Sequence, residues 1–253
     1  MRRTLGHLPL LVTLICIAAL IAYGPISQPA DYHAFADDRA FLGIPHASDV
    51  FSNLGFALVG LGGLLWLWPR RHHPGIARGW PGFALFLVCL VLTAIGSGYY
   101  HLQPDNARLF WDRLPIALAC AGLLAGVWSQ TALPAGRGAL VTLVLALYAV
   151  ASVLWWYVSE ANGRGDLRPY LLLQLLPILL IPLWQALHDT PPGDRLGFGA
   201  ALLLYVVAKV AEIADHVVLE ATQGVVSGHT LKHLLATAAA ALLAHRLVCS
   251  VRR

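Results

Sequence analysis

Charge is what this chain has least of. Lysine, arginine, aspartate and glutamate make up 12% of its 253 residues, where a soluble domain carries roughly 25%. Hydrophobic residues supply 58%, and the mean hydropathy is +0.68. These values exclude an ordinary soluble enzyme and imply an integral membrane protein. A nucleic-acid binder is not indicated either. The net charge is only +4, and the arginines fall in short segments between apolar runs, where they act as topology signals. Cysteine is also sparse. Cys16, Cys89, Cys120 and Cys249 lie in or beside apolar stretches at no metal-binding spacing, so they read as small buried thiols. Alternation with a period of two residues is missing, which argues against a β-barrel.

What is present is a series of apolar runs. A helix needs about 20 such residues to cross a bilayer. Eight segments qualify as candidates, near 8–24, 49–68, 81–101, 113–130, 138–158, 169–188, 196–216 and 230–248. Turn residues separate them, as in Leu133-Pro134-Ala135-Gly136 and Thr190-Pro191-Pro192-Gly193. The expected fold is therefore an all-α, polytopic helical bundle. The first segment has a basic start but no clear small-residue cleavage site after it, so it reads as a retained helix rather than a signal peptide.

Loop charges orient the bundle. With the N-terminus in the cytoplasm, Arg2, Arg3, Arg70, Arg71, Arg78, Arg137, Arg195, Arg246, Arg252 and Arg253 share that side. The opposite side receives only Arg39, Arg108, Arg113, Arg164, Arg168 and Lys232. Both termini are then cytoplasmic. Length and short loops suggest a bacterial inner membrane.

This topology gathers the chemistry-bearing residues at the outer face. His101 ends the third segment, Asp112 opens the fourth, and His229 and His233 open the last. Two histidines four apart on a helix project from one side, the usual way for one helix to supply two zinc ligands. Ser97 stands in the same relation to His101. Three imidazoles leave a fourth tetrahedral position for water, and zinc lowers the pKa of such a water to about 7. Asp112 is placed to move a proton, and Ser97 to donate to a developing oxyanion. Bland roles stay open for both: Asp112 as a helix cap, Ser97 as a small packing residue. On the seventh segment Lys209, Glu212 and Asp215 recur every three residues. Glu212 and Asp215 either support the zinc histidines from behind or belong to a structural ion pair. Pro177 and Pro182 are expected to kink the sixth segment.

These residues resemble the pattern of the alkaline ceramidases, within the superfamily that includes the adiponectin and progestin receptors. The shared features are Ser97-x3-His101, Asp112 eleven residues on, and His229-x3-His233. Asp112-Arg113-Leu114-Pro115 is similar to the family's Asp-Glu-Leu-Pro, and Ser52-Asn53-Leu54 resembles a further signature. The resemblance covers about residues 31–248. It implies a seven-helix core over 31–253, preceded by one extra transmembrane helix within 1–30. It implies zinc on His101, His229 and His233, with Ser97 and Asp112 catalytic. It implies hydrolysis of the amide bond of a ceramide-like membrane lipid. Family members bind calcium just before the first core helix. Asp37, Asp38 and Asp49 are the oxygen donors of suitable type there, although the family's last calcium carboxylate aligns with His46. A non-catalytic receptor or scaffold with a structural zinc is the alternative.

Overall fold

Long apolar runs closed off by proline, glycine and short polar turns leave the backbone one low-energy choice in lipid, the helix with its hydrogen bonds satisfied internally. The computed structural model describes residues 5–252, and α-helices account for about three quarters of them. The helices are α1 Leu8–Tyr23, α2 Ala47–Ser52, α3 Leu54–Leu67, α4 Trp80–Leu102 and α5 Asn106–Thr131. They continue as α6 Gly138–Ala161, α7 Arg168–Leu187, α8 Pro192–Ile213, α9 Asp215–Ala221 and α10 Gly228–Arg252. Met1, Arg2, Arg3, Thr4 and Arg253 lie outside the described residues, so part of the loop-charge reading is not addressed.

Among the described residues, seven helices are long and apolar enough to cross a membrane. The first of them is composite, running Ala47–Arg70 through α2, α3 and a 3-10 turn. The protein is thus a multi-pass membrane protein by the length and composition of its helices. Large apolar side chains face outward at helical spacing, as with Leu58, Leu61 and Leu65 on α3 and Leu140, Val144 and Leu147 on α6. A soluble monomer rarely exposes such stripes; a bilayer solvates them.

The segment expected to add an eighth span is helical for only 16 residues. At 1.5 Å per residue it reaches about 24 Å, against about 30 Å of hydrocarbon. Gly24, with φ 94°, closes it. It buries none of its residues and lies along α7.

Six helices form a closed ring in the order α3, α4, α5, α7, α8, α10 and back to α3, with α6 outside against α5 and α7. The tightest seam joins α4 to α5, where Gly82 faces the backbone of Gly122 and Gly126 with no room for a Cβ. The loosest neighbours in the ring are α7 and α8. Inside the ring lies a cavity of about 370 Å³.

Candidate metal centre

Each of the three histidines is placed by a specific local device. His101 sits in the last turn of α4 and is 1% exposed. His229 and His233 lie in the first two turns of α10. The N-terminus of that helix is held from two directions. Ser227 accepts from Thr230 N at 3.0 Å, the bond of an N-cap. Asp215, at the head of α9, accepts from His229 N at 2.7 Å through Oδ1 and from Ala36 N at 2.9 Å through Oδ2. A carboxylate on free N–H groups at a helix start is favourable through both hydrogen bonding and the helix dipole. Gly228 makes the crossing with α8 feasible: a Cβ there would stand 2.1 Å from the Ala211 carbonyl oxygen.

The result is convergence. His101, His229 and His233 are all buried, and their ligand atoms lie within 4.8 Å of one another. Ring centroids are 4.9 Å apart for His101–His229, 5.2 Å for His101–His233 and 4.8 Å for His229–His233. No other group of three or more histidine, cysteine or acidic side chains converges in this way among the described residues.

The groups behind His101 and His233 suit ligation. Ser52 Oγ donates to the Asp49 carbonyl at 3.0 Å and lies 2.8 Å from His233 Nδ1. A hydroxyl has one proton, so Nδ1–H of His233 donates to Ser52 and Nε2 keeps a free lone pair. Asp49 is fully buried; its Oδ1 accepts from Thr230 Oγ1 at 2.6 Å. Its Oδ2 lies 4.0 Å from His101 Nδ1. Both of these atoms are buried without a hydrogen-bond partner. Carboxylates commonly orient a ligating histidine from behind, and a cation on the far side of the ring would strengthen that contact. His229 Nε2 accepts from Lys232 Nζ at 2.8 Å, and Lys232 also donates to Glu212 at 3.0 Å; a neutral imidazole has one lone pair, so Lys232 must turn to Glu212 alone for His229 to ligate. The residues present therefore fit a metal ion held by three nitrogens. An imidazole set suits zinc, copper, iron and nickel alike.

Ser97 and Asp112 meet beside this centre. Pro115 lies inside α5 and has no N–H to offer the Trp111 carbonyl. Gly96 packs directly on that carbonyl oxygen, which would stand 2.1 Å from a Cβ. The approach brings Ser97 on α4 and Asp112 on α5 to the same end of the central cavity. Both line the central cavity together with His233. The N-cap of α5 is Asp105, which accepts from Arg108 N at 2.7 Å. Asp112 is two turns further in, so it does not cap this helix. The cavity is polar at this end and apolar beyond, reaching Leu243 along α10. From His233 to Leu243 is ten residues, about 15 Å along the axis.

The segment between α1 and α2 covers the histidines. Phe35 packs at an angle against two of the rings, its centroid 4.8 Å from that of His101 and 4.4 Å from that of His229. Asp37, Asp38 and Asp49 do not form a ligand cluster. Asp37 is taken up by Arg39, which donates twice at 2.7 Å and holds the carboxyl below the usual range. Asp49 is committed to Thr230, as above. Glu212 and Asp215 sit behind α10 as described, with Lys209 also donating to Glu212. Arg113 and Lys232, counted among outer-loop cations by sequence, instead line the cavity. Lys232, Thr230 and Phe35 also belong to the site, beyond the residues that the sequence motifs single out. Lys232 had a signal, an ammonium flanked by two histidines on one turn. Compared with models of known protein families and with curated proteins, the chain matches none.

Proposed function

We propose that this protein is a zinc-dependent membrane amidase, similar to the alkaline ceramidases, that hydrolyses the amide bond of an N-acyl lipid. The observation that carries this reading is the joining of three buried histidines to Ser97, Asp112 and a long apolar cavity. His101, His229 and His233 would hold the metal. Zinc, when bound, supplies Lewis acidity toward a carbonyl oxygen and toward water.

The chain's own groups do the rest. The apolar end of the cavity takes the acyl chain, and the loose α7–α8 contact, beside Pro177, is its route from the bilayer. Phe35 shields the centre from the outer aqueous side. Asp112 takes a proton from the attacking water and returns it to the departing amine nitrogen. Once Asp112 has taken the proton, Ser97 accepts from it and is free to donate its own proton to the carbonyl oxygen as charge grows there. The acyl C–N bond breaks, a C–O bond to the water oxygen forms, and a fatty acid and an amine leave. In the orientation favoured by loop charges, the site lies near the outer face of a bacterial inner membrane. Both termini are then cytoplasmic, and α1 is an extra helix beside a seven-helix core.

The test is hydrolysis of an N-acyl lipid panel by purified protein, with and without chelator. The reading expects chelation to stop turnover and Asp112→Asn to stop turnover while metal stays bound. Full turnover by metal-free protein would sink it. Absence of hydrolysis across the panel, with unfolding on metal removal, would favour a receptor or scaffold with a structural metal.

A further inference from the structure

One buried cation in the cavity is left unused by the chemistry above. Arg113 lies within α5 and is 3% exposed. Its guanidinium sits over three rings, 4.0 Å from the centroid of Trp156, 4.9 Å from Tyr32 and 5.5 Å from Tyr170. Ring faces take up part of the positive charge, but they accept poorly from a guanidinium's five N–H donors. Nη1 is buried and has no hydrogen-bond partner. No carboxylate forms an ion pair with Arg113 among the described residues; even Asp112, its neighbour in sequence, does not. Consecutive helical residues do not face each other.

The wider charge balance points the same way. The cavity is lined by three cations, Arg113, Lys209 and Lys232, and by two carboxylates, Asp112 and Glu212. Glu212 alone serves both lysines. One cation is in excess, and it is the one without an anion. An uncompensated charge taken out of water is costly. A guanidinium fork matches a carboxylate or a phosphate in a two-pronged contact.

We infer that Arg113 anchors the substrate's head, and that the lipid carries an anionic oxygen group, carboxylate or phosphate, on the amine side of its amide. This inference rests on the amidase reading and narrows it: a neutral ceramide-like head leaves Arg113 unpaired. Trp156, Tyr32 and Tyr170 fix the guanidinium in the cavity that Asp112 also lines, so the scissile bond and the anion share one chamber. Arg113 thereby becomes a specificity-determining residue.

The experiment measures binding with ligands that cannot be cleaved, in an uncharged detergent. These are keto isosteres of N-dodecanoylglycine, of its methyl ester and of N-dodecanoylethanolamine phosphate, with CH2 in place of the amide N–H. Calorimetric affinity of the purified protein should favour an acid over the ester by about tenfold or more, the usual worth of a hydrogen bond to a charged group. Whichever acid binds tighter, carboxylate or phosphate, names the group. Arg113→Gln should erase the preference with metal content unchanged, and Arg113→Lys should keep part of it. Equal affinity for acids and ester in the natural protein would overturn the inference, even if Arg113→Gln failed to fold. A preference surviving in Arg113→Gln would also overturn it. Turnover of neutral N-acyl lipids with anionic ones refused would sink the head-group assignment and leave the amidase standing. A preference for acids without any turnover would do the reverse.

Discussion

Replacing Gly96 with alanine tests how the site is assembled. The new Cβ would stand 2.1 Å from the Trp111 carbonyl oxygen, and real Cβ contacts essentially never fall below 3.0 Å. Helices α4 and α5 must therefore separate by at least the difference, 0.9 Å. The obstacle is backbone, so no rotamer change relieves it. Overpacking of this kind costs about 1–3 kcal/mol. Ser97 and Asp112 sit on opposite sides of that seam, and a displacement near 1 Å in a catalytic pair lowers turnover by about a hundredfold. Gly98 provides the control. It lies two residues further along the same helix, and a Cβ there meets nothing within 4 Å. Gly98→Ala should gain up to about 1 kcal/mol from helix propensity. Thermal unfolding in detergent, zinc content and turnover of an N-acyl lipid are read for each variant. The expected pattern is a lowered midpoint and lost turnover for Gly96→Ala, and neither for Gly98→Ala. Indistinguishable midpoints for the two variants would refute the argument.

Asp215→Ala removes the acceptor of two backbone N–H groups, on His229 and Ala36. It should cost about 1–3 kcal/mol and speed hydrogen exchange at Ala36; unchanged exchange would count against the tie. Ser52→Ala removes the partner of His233 Nδ1, and competition with a chromophoric chelator should show metal affinity about 10–100-fold weaker. Asp166, bonded by Arg168 and Trp155, has its carboxyl held at about 2, below the usual 3.8. A depressed folded pKa means stabilisation present above 3.8 and lost as pH falls toward about 2. Acid unfolding of Asp166→Asn should therefore be flatter than that of the natural protein over that range.

Much of the fold was legible because hydropathy is a local property. The spans near 81–101 and 138–158 fall within α4 and α6 to within a few residues. Where polarity and helicity part company, the reading failed. Helix α5 begins at Asn106 rather than near 113, because Asn106, Arg108 and Asp112 break up the apolar run over its first two turns while Asp105 caps them. The seventh segment stops at Ile213, and the short α9 follows it before α10 begins. The site was legible in its ligands, since histidines four apart on a helix announce a shared face. Their supports were not. Asp49 reaches Thr230 across 181 positions, and Ser52 reaches His233 across the same separation. Such pairings arise only when helices close into a ring. Asp49 is legible in the sequence as an oxygen donor, but its burial behind His101 depends on that closure. Lys232 and Arg113 were misplaced for a related reason: a charge beside an apolar run looks like a loop charge until the surrounding helices cover it.

The most direct measurement is elemental analysis of protein purified without added metal, for the natural chain and for His101→Ala, His229→Ala and His233→Ala. The account predicts one zinc per natural chain and near-complete loss in every variant, with helical circular dichroism retained. Metal-free natural protein, or variants that keep full zinc, would contradict it.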